Sequence, residues 1–429
     1  MNHPKKIQRF LSRLSPLLIA IVLIMTAGYF SWSENIAITR VLKIFFRLGM
    51  TAAIIMVHRA LLKLGAIASH GWQNTGVFIF YLLYLLLGFS SFMWSTAPGY
   101  SALQWFMTAE SLIFAYYLIR TFLVLDVYFP GHSLRFYRTF GNACFGLLFL
   151  FLVGSFAAPS QFFRAVEGGT ALRLGGYLMN PNELGMLSGV GISCLTFDVF
   201  KKHRLVATLF KLGVMIVVLL LTQSRSSLIG LALILYFHIR RSENTQLKLT
   251  LTIAALCAVP AVASQLIMRS GGIEDILSMT GRLPFWKALV LEGVPKEPWF
   301  GFGFMRIAYT DHFESIHTYS GHMTHNTFLQ VLLNLGFVGF VVMVFQLLFT
   351  FIGIRKQPTE KRMMIVGICI PILINSLTEF GIFGETNYGI LFFQFIIFLL
   401  VLRPPKRLTS VQKNYLKRKR PDLKSPQYV

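Results

Sequence analysis

Apolar runs of membrane-spanning length recur from one end of this chain to the other, and they limit its fold more than any other feature. A helix needs about 20 apolar residues to cross the hydrocarbon core. Helices and closed barrels alone satisfy every backbone N–H and C=O away from water. Spans are expected at 15–31, 44–62, 76–93, 103–124 and 137–157, then at 183–200, 205–222, 226–239 and 249–268. The last three are expected at 326–354, 363–379 and 386–402. The fold class is therefore all-α, a polytopic transmembrane helical bundle of about 12 spans. One bundle is expected over residues 1–403, followed by a basic tail at 404–429. That tail has too few apolar residues to order itself.

Composition agrees with this reading. Hydrophobic residues make up 55% of the chain and charged ones 13%, and the mean hydropathy is +0.62. A net charge of +23 would suit a nucleic-acid binder if the cations formed one face. Instead they sit in short stretches between apolar runs and in the tail, which is the pattern of membrane topology. No nucleic-acid partner is expected. Cys144, Cys194, Cys257 and Cys369 lie singly inside apolar runs. Their spacing fits neither a metal site nor a disulfide framework, so they are read as core residues. The first run follows Lys5, Lys6, Arg9 and Arg13 without a clear small-residue cleavage site, and a retained first span is expected.

Lysine and arginine in the short loops set the orientation. With the N-terminus inside, the inside stretches hold Arg59 and Lys63, Arg135 and Arg138, Lys201, Lys202 and Arg204, Arg240 and Arg241, and Arg355 to Arg362. The stretches Trp94 to Ser101 and Glu379 to Asn387 hold neither lysine nor arginine. Both termini are thus expected to be cytoplasmic. The topology rule leaves Arg40, Arg164, Arg173, Arg225, Arg269, Arg282 and Arg306 on the outside without an explanation. The largest loop, about 269–325, is also outside. It contains a short helical stretch from Arg282 through Trp286 that is apolar on most faces and is expected to lie against the bundle or the membrane surface.

Several of these outside residues carry chemistry. His325-Asn326 stands at the start of a long apolar helix, and imidazole moves protons near neutral pH. It reads either as an interfacial histidine bonded to a loop carbonyl or as a general base. As a base it needs its second nitrogen oriented, and Asn326, Glu379 and Glu385 are the outside candidates. His322 lies three residues earlier; His325 is preferred because Asn326 and the helix start fix its position. Arg225, flanked by Ser224 and Ser226, admits two readings, a snorkelling anchor or an anion clamp built on a planar, permanently charged fork. Arg173 precedes the turn Asn180-Pro181-Asn182, in which Asn182 either caps the next helix or joins a site. Gly336-x-x-Gly339 is read as a close helix contact. Glu110, alone inside a span, invites a transport reading.

These residues together resemble the superfamily of O-antigen ligases and O-antigen polymerases that share the Wzy-C region. The motifs are His325-Asn326 followed after nine residues by Gly336-x-x-Gly339, Ser224-Arg225-Ser226, Gly281-Arg282 with Trp286 and then Pro298 to Gly303, and Asn180-Pro-Asn182-Glu-Leu-Gly185. A weaker echo is Met93-Trp94-Ser95-Thr-Ala-Pro98, and the set runs from 93 to 339. The resemblance implies a metal-independent, GT-C-like membrane glycosyltransferase of the bacterial inner membrane with a large periplasmic loop and no cofactor. It implies a glycan donor linked to undecaprenyl pyrophosphate, and an acceptor that is lipid A-core or growing polysaccharide. Carried onto this chain, it makes His325 the base, and it gives the pyrophosphate to Arg225 and Arg282 with Arg173 beside them. Asn326, Asn182, Ser224 and Trp286 support them. A ligase, a polymerase and a protein O-glycosyltransferase all remain open. A lipid-linked glycan flippase or transporter, in which Glu110 rather than His325 matters, is the alternative from another class.

Overall fold

The computed structural model of the chain describes residues 3–64, 71–166, 171–200, 205–241, 282–304, 324–379 and 381–404, with isolated positions at 66, 245, 248–249 and 252–253. The expected span at 249–268 lies almost wholly outside the described residues. So do His322, most of the long loop, and all but the first residue of the tail.

The first half of the chain runs through α1 (His3–Ser12), α2 (Leu14–Ala27), α3 (Ile36–Lys63), β1 (Gly71–Trp72), α4 (Thr75–Ser90), α5 (Pro98–Tyr128) and α6 (Phe136–Ala157). A short α7 (Pro159–Phe162) leads into β2 (Phe163–Val166) and β3 (Ala171–Leu174), then α8 (Pro181–Phe200), α9 (Leu205–Leu221) and α10 (Arg225–Arg241). The rest comprises α11 (Arg282–Ala288), α12 (Thr327–Arg355), α13 (Thr359–Thr378), α14 (Tyr388–Val401) and β4 (Leu402–Arg403). Helices stand where the sequence puts its spans, the undescribed one excepted. Among the described residues, six helical stretches are long and apolar enough to cross a membrane, and α2, α9 and α14 are apolar but shorter. The protein is a multi-pass membrane protein.

Helix starts follow from local chemistry. Asn35, Asn326 and Asn387 each accept hydrogen bonds from the two backbone N–H groups just inside α3, α12 and α14, donors that no carbonyl of the same helix can satisfy. Proline opens α5 and α8, where its missing N–H costs nothing. All these starts lie at one end of the bundle, the end at which α13 finishes. We call it the site end. Lys63, Arg135, Arg240, Arg241 and Arg355 gather at the opposite end, where Arg135 pairs with Glu360 at 3.1 Å.

Burial explains the arrangement. Every residue of α14 is buried, as befits a helix apolar on all sides. Gln394 within it donates to the Tyr81 hydroxyl and the Thr108 carbonyl. By contrast, α12 exposes Val341, Val344, Phe345, Leu348 and Phe351, a stripe at helical spacing that faces lipid rather than protein. Cys144, Cys194 and Cys369 are free and buried; Cys257 lies outside the described residues. Glu110 has a charged partner on a neighbouring helix. Arg47 of α3 donates to it at 2.8 Å, with side-chain exposures of 1% and 5%. Thr51 also bonds Glu110, and Arg47 reaches the Met107 carbonyl.

Two features differ from the sequence reading. Phe163–Val166 and Ala171–Leu174 form an antiparallel pair, with Arg164 opposite Arg173, where an outer loop is expected from the sequence. The ladder satisfies backbone groups at the edge of the bundle. Gly336 does not serve a helix–helix contact. It breaks α12 with φ 61° and ψ −163°, and residues 298–303 dock there through their backbone. The Phe302 and Gly303 N–H groups donate to the Leu333 and Asn334 carbonyls, and the Phe337 and Val338 N–H groups donate to those of Pro298 and Trp299. A Cβ on Gly336 would stand 2.3 Å from the Trp299 carbonyl carbon, so the left-handed backbone and the close approach both require glycine.

Candidate functional site

The site is organised around a carboxylate, Glu379, in the turn that follows α13. Its Oε1 accepts from Asn182 Nδ2 at 2.7 Å and from Arg282 Nη2 at 2.7 Å. Its Oε2 lies 2.8 Å from His325 Nδ1. The group is therefore held by the first turn of α8, by α11 and by the residue before the Asn326 cap. Asn182 in turn accepts from Arg173 Nη2 at 2.7 Å, while Arg173 Nε donates to the Thr222 carbonyl at 2.9 Å. Arg282 Nη1 donates to the Thr378 carbonyl at 2.6 Å. Burial alone would raise the Glu379 pKa. The hydrogen bond and charge of His325, the Arg282 charge and the Asn182 amide outweigh it and hold the carboxyl below the usual range.

An ionised carboxylate only accepts hydrogen bonds. The contact therefore puts a proton on Nδ1; in the neutral ring the lone pair then lies on Nε2, the arrangement in which a carboxylate orients a general base. His325 adopts φ 51°, a left-handed conformation that histidine enters more readily than most residues. Its neighbours hold it there. Asn326 caps α12 through its Oδ1 and donates to the Leu377 carbonyl. Trp286 Nε1 donates to the Thr324 carbonyl at 2.7 Å. The Thr324 hydroxyl donates to the Asn326 carbonyl, and Thr327 reaches the Glu379 carbonyl. Phe285 and Leu289 pack with Phe302 and Leu333, so the short helix of the long loop lies against the bundle, as expected.

Arg225 differs from the other two site arginines. It opens α10 directly after Ser224, whose Oγ accepts from the Ser227 N–H and hydroxyl. The turn before it is tied to the site through Thr222, which meets Arg173, and Ser227 reaches the Asn182 carbonyl at 3.4 Å. Yet Arg225 makes no hydrogen bond or ion pair with any described residue, and its Nε is buried without a partner. A buried guanidinium donor left unsatisfied is costly. An anion brought to this turn would find that donor and the first N–H groups of α10 together.

His325, Asn326, Arg225, Ser224, Arg282, Trp286, Arg173 and Asn182 thus stand at one end of the bundle, and His325, Arg282, Asn182 and Arg173 are joined through Glu379. Of the three partners considered for His325, Glu379 binds the ring, Asn326 caps the helix, and Glu385 accepts from Tyr100 at 2.8 Å. Sequence reasoning offers Glu379 as one of three partners for His325 but does not foresee its bonds to Asn182 and Arg282. The one signal was a carboxylate at the end of a span in a stretch without lysine or arginine. Residues 210–344 match the family model Wzy_C, described as O-antigen ligase. The match takes in Arg225, Arg282, His325 and Gly336, and leaves out Arg173, Asn182 and Glu379. No curated protein matches the chain. The match over residues 210–344 thus supports a place in the O-antigen ligase and polymerase superfamily.

Proposed function

We propose that this protein is a metal-independent glycosyltransferase. It transfers a glycan from an undecaprenyl-pyrophosphate donor to a sugar hydroxyl during surface polysaccharide assembly. It would lie in the bacterial inner membrane with about 12 spans, both termini cytoplasmic and the site end facing the periplasm. The observation that carries the reading is the His325–Glu379 contact at 2.8 Å, linked through Asn182 and Arg173 to the turn before Arg225, an arginine without a partner among the described residues.

The acceptor hydroxyl gives its proton to His325 Nε2 while its oxygen attacks the anomeric carbon of the donor. The bond from that carbon to the pyrophosphate oxygen breaks, and the electron pair leaves with the lipid diphosphate. A positioned base contributes about 10²–10⁴-fold. Fixed guanidinium groups meet the growing negative charge without reorganising, and Arg225 is the one available to do so directly. Arg282 and Arg173 hold Glu379 and Asn182 in place as well as adding positive charge. A single displacement inverts the anomeric centre. The transport reading was drawn from a lone carboxylate in a span, and Arg47 now accounts for that carboxylate as half of an ion pair.

The test uses purified protein in lipid nanodiscs with a lipid-linked glycan donor. His325→Ala and Arg225→Ala should insert normally and lose transfer, and the wild-type product should have the inverted linkage by NMR. Normal surface glycans in cells carrying either variant would sink the reading. In such cells, lipid-linked polymer with bare core indicates a ligase. Single repeats on the acceptor indicate a polymerase, and loss of glycan from a protein indicates a protein O-glycosyltransferase.

A further inference from the structure

A cavity of about 720 Å³ opens at the site end between the first turns of α3 and α5. Its size is that of a small-ligand pocket. Arg40 and Lys43 line it from α3, and Tyr100 and Gln104 from α5. On each helix the pair is spaced three or four residues apart, so each helix presents one polar stripe to the cleft. Tyr29, Tyr177 and Glu385 close it. The loop-charge rule left Arg40 unexplained, and the site around Glu379 does not use it.

The lining matches one kind of ligand. Its tyrosine rings offer flat, amphipathic surfaces for the C–H faces of sugar rings. Guanidinium, ammonium, amide, hydroxyl and carboxylate groups offer donors and acceptors together, as an array of sugar hydroxyls requires. The two cations, Arg40 and Lys43, are balanced by two carboxylates, Glu34 and Glu385. A pyrophosphate pocket would carry a cation surplus. The walls are also set in advance. Tyr100 bonds Glu385, and Gln104 accepts from the Thr386 N–H through its side chain and from the Thr386 hydroxyl through its carbonyl. Beneath the floor, the Arg47 guanidinium lies 4.3 Å from the centre of the Tyr29 ring.

Position gives the cavity a task. Two chain segments run from it into the Glu379 site. Tyr177 lies between Arg173 and Asn182, and Glu385 lies six residues after Glu379. We propose that this cavity is the acceptor subsite, holding sugar rings that flank the hydroxyl activated by His325. The proposal rests on the transferase reading and adds where the acceptor binds.

The experiment separates the two. Wild-type protein, Arg40→Ala and Tyr177→Ala are compared in nanodiscs; both residues are exposed, so both variants should fold. Binding is read directly by saturation-transfer NMR with two probes, core oligosaccharide released from lipopolysaccharide by mild acid and a short repeat-unit oligosaccharide. Transfer kinetics are read in parallel. One probe should bind the wild type, which identifies the acceptor source, and bind the variants about tenfold more weakly, equivalent to one or two lost hydrogen bonds. The acceptor KM should rise similarly, with the donor KM moving less than about twofold. If wild-type protein transfers nothing but binds a probe that the variants do not, the subsite stands and the reaction fails. Equal binding by all three proteins, binding of neither probe, or a rise confined to the donor KM overturns the subsite.

Discussion

Glu110 and Glu379 are both buried carboxylates that receive a hydrogen bond from an arginine, yet they answer different problems. Glu110 sits within a span, where its partners are Arg47 and Thr51, a permanent cation and a hydroxyl. Neither partner exchanges protons near neutrality, so the pair only neutralises charge in a place without water. Glu379 sits in the turn beyond a span, and one of its partners is an imidazole. It compensates Arg282 and also fixes which nitrogen of His325 carries the proton. A buried acid next to an arginine is therefore no sign of chemistry by itself; a titratable third member at the bundle end is what separates the two.

Substitutions sharpen this contrast in order of size. Glu379→Gln should reduce transfer about 10⁴-fold, the scale seen when an orienting carboxylate becomes an amide and the imidazole takes the wrong tautomer. The amount of inserted protein should change little; rates measured per folded molecule check it. Arg225→Ala should lower transfer about 10²–10³-fold, the effect of one preorganised donor to developing charge, and raise the donor KM. Glu110→Ala should act on folding instead. It strands the Arg47 charge and should cost about 3–5 kcal/mol, seen as a lower melting temperature in detergent. Arg47→Met combined with Glu110→Leu should recover most of that loss. If Glu110→Ala instead slows transfer with unchanged melting, the contrast breaks. Asn387→Ala removes a cap from α14 at neither carboxylate and should cost about 1 kcal/mol.

Acid should also tell the wild type from Glu379→Gln. The Glu379 pKa is lowered in the folded protein despite burial, because His325, Arg282 and Asn182 favour its charged form. A depressed carboxyl stabilises above its unfolded pKa, and that contribution disappears as pH falls through the folded value. Melting temperature should therefore hold from neutrality to about pH 5 and drop below the usual carboxylate range. The drop should be smaller in Glu379→Gln, and an identical acid limb in that variant would assign the effect to other groups.

Much of this was legible in the chain because the bilayer imposes long apolar runs. Caps such as Asn326 and the charge of the loops then order the ends. His325, Arg225, Arg282, Arg173 and Asn182 all announced themselves as polar residues where topology did not require them. Their connection did not, because Glu379 lies 54 residues beyond His325 and only the return of α13 beside α12 brings it back. The same holds for Arg47 and Glu110, 63 positions apart and in different helices. Gly336 was recognised as a place of close approach, but its partner, the segment at 298–303, belongs to a loop whose path no periodicity encodes. The β2–β3 pair had a local signal, Gly168-Gly169 between short alternating stretches, that was overshadowed by the helical pattern around it.

The central claim is that His325 and Glu379 act as one unit in which the carboxylate works through the ring. A double-mutant cycle in transfer rate, using His325→Gln, Glu379→Gln and the two together, tests it most directly. Residues that act as a unit are strongly non-additive. The account predicts that the double variant transfers no more slowly than His325→Gln alone, with both single variants inserted and folded. Losses that multiply in the double variant would mean that the two residues act independently, and would contradict it.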